Sequence, residues 1–162
     1  KAAGAAQVIA LEMSSARKAK ALQVGASAVL DPSQCDALAE IRGLTGGLGA
    51  DVSFECIGNK HTAKLAIDAI RKAGKCVLVG IFEEPSAFNF FDLVSTEKQV
   101  LGALAYNGEF ADVIAFIADG RLDIRPLVTG RIGLEQIVEL GFEELVNNKE
   151  ENVKIIVSPG GR

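Results

Sequence analysis

The sequence contains no tryptophan and only one histidine, one methionine and one tyrosine among its 162 residues. With His61 as the sole histidine, no histidine-rich metal set is available. Cysteine is scarce as well: Cys35, Cys56 and Cys76 stand far apart, with no pair at C-x₂₋₄-C spacing. Their odd number and wide spread exclude a disulfide framework and point to a reducing, cytoplasmic location. No apolar run approaches the ~18 residues of a membrane span, and no charged start followed by an apolar stretch marks a signal peptide. Net charge is −4 with both signs mixed, which gives no reason to grip a nucleic-acid backbone. There is no nucleophile elbow and no metal-ligand spacing, so no catalytic residue and no metal ligand is assigned. One more absence matters: no glycine-rich phosphate loop precedes the first predicted strand.

Apolar residues make up 49% and charged residues 23%, enough for a packed core in a chain the length of one ordinary domain. Short apolar runs alternate with helical periods. Val8–Leu11 reads as a strand, followed by a helix capped by Ser14 or Ser15 that carries Ala16, Ala19, Leu22 and Val24 inward, with Arg17, Lys18 and Lys20 mostly outward. Ala28–Leu30 is a second strand, Cys35 to Leu44 a helix, and Asp51–Ile57 a third strand closed by Gly58-Asn59. Ala63, Ala66, Ile67 and Ile70 then share one helical face, Gly74 ends that helix, and Lys75–Phe82 is a fourth strand. Strands alternating with helices of this length predict a parallel sheet with crossover helices. Beyond Glu83 the spacing predicts a short helix at Phe90–Ser95, a strand at Gln99–Ala105, and a helix with Phe110, Val113, Ile114 and Ile117 on one face. Leu127–Arg131 reads as extended, Leu134 to Val146 as a helix, Val153–Val157 as a last strand, and Ser158-Pro-Gly-Gly-Arg as a frayed tail.

Glu12 falls where the first strand meets its helix. In a dinucleotide-binding sheet a carboxylate at the end of the second strand accepts hydrogen bonds from the adenosine ribose hydroxyls. Its charge repels the extra phosphate of NADP, so the reading favours NAD. Such an acid lies ~20 residues beyond the glycine motif, and only eleven residues precede Glu12. The first strand and its glycine-rich turn are therefore expected upstream of Lys1. An ordinary solvated glutamate after a strand fits Glu12 equally well at this level. Lys18 reads as part of a solvated helix face, and Arg17 as either solvated or turned toward the ribose.

Ligands of a doubly wound sheet lie across the carboxyl ends of its strands. That directs attention to Ile57-Gly58 and to Val79-Gly80-Ile81, where small or apolar residues let a flat ring approach the backbone. Both glycines serve equally as simple turn residues. His61 reads as a surface residue, and Cys56 and Cys76 as inert core thiols. Cys35 opens a helix with no partner base in view.

The segments GAAQVIALEMSSARKAKALQVGASAVLDP, GGLGADVSFECIGN, GKCVLVGIF and VLGALAYNGEF together resemble the coenzyme half of zinc-containing alcohol dehydrogenases of the medium-chain dehydrogenase/reductase superfamily. Ile81-Phe82-Glu83, Asp92-Leu93-Val94, Glu97-Lys98, Gly102 to Tyr106 and Leu127-Val-Thr resemble the branch that acts on 2,3-butanediol-like vicinal diols. The resemblance spans essentially the whole chain. It implies a Rossmann-type doubly wound sheet truncated before its second strand. Residues 1–104 would form the partial NAD-binding domain, and 105–162 a segment returning to a catalytic domain outside this chain that holds the zinc. It assigns Glu12 to the ribose, Arg17 to the adenosine surroundings, and Ile57 and Gly58 to the backbone passing the adenine-side ribose. Val79, Gly80, Ile81, Ala103 and Ala105 become the nicotinamide wall, and Lys154 takes the place of a basic residue that reaches the pyrophosphate. A lysine there supplies charge without a bidentate fork.

The implied activity is NAD-dependent oxidation of a secondary alcohol or vicinal diol, a small-molecule substrate. A homodimer or homotetramer is implied through the edge strand 99–104. Threonine, sorbitol and quinone reductase types remain open within the superfamily. Outside it, an S-adenosylmethionine-dependent methyltransferase also places an acid after its second strand, and a nucleotide-binding module without chemistry is a third reading. A missing central strand would leave ladder amides unpaired at about 1–3 kcal/mol each. The stretch alone is therefore expected to be unstable or gapped, inactive, and a poor binder of NAD.

Overall fold

A computed structural model describes residues 1–148 and 150–160. The chain divides into two units, one formed by Lys1–Gln34 with Gly108–Arg162 and the other by Cys35–Asn107. Every strand pairing among the described residues is parallel, as the alternation of strands and helices predicts.

In the first unit, β1 (Ile9–Leu11) pairs with β2 (Ala28–Leu30). Helix α1 (Ser15–Gln23) connects them, opened by the Ser14 hydroxyl, which accepts from the Arg17 N–H at 3.3 Å. Helix α5 (Phe110–Ala118) stops at Asp119. Strand β6 (Val128–Gly133) then pairs with β7 (Lys154–Ser158). The crossover between these two is not one α-helix. It is a 3₁₀ turn at Leu134–Gln136, a π-helix at Ile137–Glu143 and a short α6 (Glu144–Asn147). Apolar spacing cannot separate i→i+3, i+4 and i+5 hydrogen bonding, which is why the sequence reads as continuous there. Gly161 and Arg162, the end of the tail expected to fray, lie outside the described residues.

The second unit is a three-stranded sheet in the order β3-β4-β5, built from β3 (Ala50–Glu55), β4 (Ile70–Leu78) and β5 (Gln99–Gly102). Asp36 caps α2 (Ala37–Leu44), Asn59 caps α3 (Lys60–Ala69) and Asn89 caps α4 (Phe90–Thr96). The core sits where α3 lies on the sheet: Ala66, Ile67, Ile70 and the fully buried Cys76, with Phe88, Leu93 and Val100 packed around them. The Lys98 ammonium donates to the Ile67 carbonyl at 2.7 Å, which satisfies an orphan acceptor near the end of α3.

Several expectations are corrected here. Strand β4 starts at Ile70, directly after α3, so Gly74 lies within it and does not end the helix. Its register steps from Ala50↔Ile70 to Val52↔Lys75. Cys56 is exposed, because β3 ends one residue before it. Leu22 in α1 and Val24 just beyond it are exposed while Arg17 and Lys18 are half-buried, opposite to the amphipathic count at those positions. The reason lies in two long-range bonds. Lys18 Nζ meets Asp31 Oδ2 at 2.8 Å and Arg17 Nη2 donates to the Asn152 carbonyl at 3.3 Å, and together they set which face turns inward. The apolar face of α5 is likewise exposed at Phe110, Val113, Ile114 and Ile117.

Candidate cofactor-binding site

In the first unit the predicted acid lies at the carboxyl end of β1. The Glu12 N–H continues the ladder by donating to the Leu30 carbonyl at 3.0 Å. Its half-buried side chain folds over the start of α1, where Oε1 accepts from the Met13 and Ser14 N–H groups, both at 2.9 Å. Two backbone donors thus fix the direction of one carboxylate oxygen. The Ser14 hydroxyl, besides capping α1, donates to the Glu150 carbonyl at 3.1 Å. Arg17 grips the same stretch through Asn152. Lys154 follows two residues later as the exposed first residue of β7. Glu12 and Arg17 therefore share the entrance of α1, and Lys154 follows the segment that Arg17 holds. Asp31, bonded to Lys18 and to the Ser33 hydroxyl and N–H, has its pKa lowered to about 2.

In the second unit the parallel sheet brings the other seven predicted residues to one edge. Ile57 and Gly58 follow β3; Val79, Gly80 and Ile81 follow β4; Ala103 and Ala105 follow β5. Ile57, Val79 and Ile81 are exposed and form an apolar lip. The Ala103 N–H donates to the Leu78 carbonyl at 3.0 Å, which ties the β5 end to the β4 end. Gly58 has φ +90°, and a Cβ there would stand 2.2 Å from the Ile81 carbonyl oxygen. A Cβ on Gly80 would stand 2.3 Å from the Gly58 nitrogen. The two turns are pressed together backbone to backbone, so glycine is required at both positions.

The residue beneath these turns, Glu55, was not singled out from the sequence. Only 2% of it is exposed. Its Oε1 accepts from the Ile57 N–H at 3.0 Å, the Gly58 N–H at 2.9 Å and the Thr62 hydroxyl at 2.7 Å. Burial raises its pKa, but the bonds from Thr62, Gly58 and Ile57 outweigh burial and leave it below the usual value. The spacing Glu-Cys-Ile-Gly, an acid three residues before a turn glycine, was the available signal. Beside it, partial desolvation and the Glu55 charge push the Cys56 thiol pKa up, so this exposed cysteine is a poor nucleophile. A groove of about 640 Å³ runs along α3 and the loop following Phe82, with Ile67, Leu78 and Phe88 among its walls, and none of the seven predicted residues lines it. Among the described residues no group of three or more His, Cys, Asp or Glu side chains could hold a metal ion. No helix among them is long and apolar enough to cross a membrane.

A zinc-binding dehydrogenase family model matches residues 1–119. The chain belongs to the zinc-binding dehydrogenase family. This zinc-binding dehydrogenase chain is 39% identical over 154 residues to (R,R)-butanediol dehydrogenase of Neisseria gonorrhoeae, a match covering 94% of this chain and 44% of that protein. It is 30% identical over 160 residues to sorbitol dehydrogenase of Bacillus subtilis, covering 98% and 45% respectively. The crystal structure of 2R,3R-butanediol dehydrogenase from Bacillus subtilis superposes with a TM-score of 0.89 at 36% identity, over 98% of this chain and 45% of that one. A zinc-binding dehydrogenase from Sinorhizobium meliloti, solved with NADP, superposes at 0.81 and 26% identity, covering 97% and 46%. The chain thus spans less than half the length of these relatives. The family and the Rossmann-like fold expected from the sequence are both borne out.

Proposed function

We propose that this chain is the coenzyme-binding part of an NAD-dependent alcohol dehydrogenase that oxidises a secondary alcohol or vicinal diol by hydride transfer. The observation that carries the reading is the carboxyl edge of β3-β4-β5. Two glycine turns are packed together there, and exposed Ile57, Val79 and Ile81 offer apolar surface to a flat ring. In this reading Val79, Gly80, Ile81, Ala103 and Ala105 wall the nicotinamide, and Ile57 and Gly58 pass the adenine-side ribose. In the first unit Glu12 accepts from the adenosine ribose hydroxyls, Arg17 supports the adenosine surroundings through its hold on Asn152, and Lys154 offers charge to the pyrophosphate. A half-buried carboxylate already oriented by two amides suits a diol partner and disfavours a 2′-phosphate. When bound, the nicotinamide supplies the hydride acceptor.

Among the described residues no set of side chains fits a zinc site. The proposal places zinc on residues of a catalytic domain outside this chain, with residues 1–104 as the nucleotide domain and 105–162 as the segment that returns to it. Residues 1–162 alone would be inactive and would bind NAD weakly. The outer edge of β5 is the proposed dimer or tetramer contact, since β5 pairs on one side only among the described residues. The proposed location is the cytoplasm, where Cys35, Cys56 and Cys76 would persist as thiols. The test is calorimetric titration of the full-length gene product with NAD, NADP and S-adenosylmethionine, followed by turnover on 2,3-butanediol and sorbitol. Preference for NAD with butanediol turnover supports the reading. Preference for sorbitol moves it to that branch of the family, and binding of S-adenosylmethionine alone overturns it.

A further inference from the structure

We infer that Glu55 is a positioning residue: one buried acid staples the β3-end and β4-end turns into the edge that receives the cofactor. The inference rests on the reading that this edge takes NAD. Glu55 holds the two turns by different atoms. Its main-chain carbonyl accepts from the Val79 N–H at 2.8 Å and the Gly80 N–H at 2.9 Å. Its carboxylate accepts from Ile57 through Oε1, and from Gly58 through both oxygens, at 2.9 and 3.1 Å. Thr62 braces the same carboxylate from the first turn of α3. The fit leaves no slack, because a Cβ on Gly80 would stand 2.6 Å from Glu55 Oε2.

A buried ionised carboxylate is an expensive way to fill space, and an apolar residue of similar volume is often as stable or more so. What the acid adds is geometry, since it accepts from two successive amides of one turn. There is also a chemical consequence. Successive backbone N–H groups in turns and nests can serve as donors to phosphate. Here four of them, at Ile57, Gly58, Val79 and Gly80, are directed at Glu55. The edge therefore offers apolar walls and a fixed backbone to a ring, and withholds its amides from an anion.

The experiment compares the full-length wild type with Glu55→Gln, Glu55→Ala and Thr62→Val. If the loosened turns are competent about a tenth of the time, apparent affinity falls about tenfold. Glu55→Ala should then raise both Kd and KM for NAD about tenfold. Glu55→Gln, which keeps one acceptor oxygen, should cause a smaller rise, and KM for the alcohol should stay unchanged in both. Amide exchange without cofactor should accelerate at Ile57 and Gly58. It should remain slow at Val79 and Gly80, whose acceptor is the main-chain carbonyl. If Glu55→Ala does not fold, Glu55→Gln and Thr62→Val carry the same criteria. A merely structural role would lower the folded, titratable fraction and leave Kd for NAD at the wild-type value, and that result overturns the proposal. Wild-type exchange at Ile57 and Gly58 in a folded Glu55→Ala protein overturns it too. Failure of the wild type itself to bind NAD overturns the cofactor reading instead, and with it the role assigned here.

Discussion

Replacing Gly58 by alanine tests the backbone contact on which the candidate cofactor edge depends. Gly58 has φ +90°, and an added Cβ would lie 2.2, 2.6 and 2.8 Å from the carbonyl oxygen, carbonyl carbon and nitrogen of Ile81. A carbon normally approaches a carbonyl oxygen no closer than about 3.3 Å, so one turn must move by about 1 Å. All three obstructing atoms are backbone, and no side chain can swing aside to absorb the shift. The positive φ costs an L-residue about 1–2 kcal/mol, and forced repacking about 1–3 kcal/mol. Together they amount to about 2–5 kcal/mol, against a typical stability of about 5–15 kcal/mol. Displacement of a binding element by about 1 Å can cost about 100-fold in catalysis. Gly58→Ala in the full-length protein should lower the urea midpoint by the equivalent of that free energy at unchanged slope. It should also weaken NAD binding at least about tenfold. A loss below about 1 kcal/mol together with wild-type NAD affinity would refute both the tightness of the contact and its part in binding.

Three other substitutions probe separate parts of the chain. Gly43→Ala, in α2 where the new Cβ would meet nothing within 4 Å beyond its chain neighbours and the helix's own backbone, should stabilise the protein by about 0.5–1 kcal/mol, read from thermal or urea unfolding. Glu12→Ala should weaken NAD about 10–100-fold, the loss expected for hydrogen bonds to a charged group. It should improve NADP relative to NAD, and unchanged NAD affinity in a titration would remove Glu12 from the ribose. The Asp31 pKa is depressed from 3.8 to about 2 by Lys18 and Ser33. Its stabilising contribution is complete above the unfolded value and is lost as pH falls through about 2. Lys18→Met should therefore flatten the slope of stability against pH between about 4 and 2, and an unchanged slope would show that the ion pair is irrelevant to it.

Much of the architecture was legible in local signals. Ser14 at the start of α1 and Gly58-Asn59 between β3 and α3 act as short-range chemistry dictates. Whatever depended on distant partners was not legible. The inward turn of Arg17 needs Asn152, 135 residues away in sequence, and no count of apolar spacing contains that bond. Glu55 escaped notice because a charged side chain at a strand end reads as solvated. Only the three-dimensional return of Ile57, Gly58 and Thr62 onto it makes burial tolerable. Cys56 was misplaced by the extent of one strand, since a core position becomes an exposed one where β3 stops at Glu55. The candidate edge was found by a topological rule and not by motif, which is why its apolar lip was predicted and its acidic foundation was not.

The seclusion of Cys76 turns the second unit into its own stopwatch. Its side chain has no exposed surface, and burial also pushes its thiol pKa up, so an alkylating reagent can reach it only at moments when β4 parts from α3. The rate of its labelling, followed at Cys76 itself by peptide mass, would count those openings directly, with no probe introduced. Slower labelling on adding dinucleotide would show that the ligand closes the breathing of the sheet, a link between occupancy and motion that an equilibrium titration does not register.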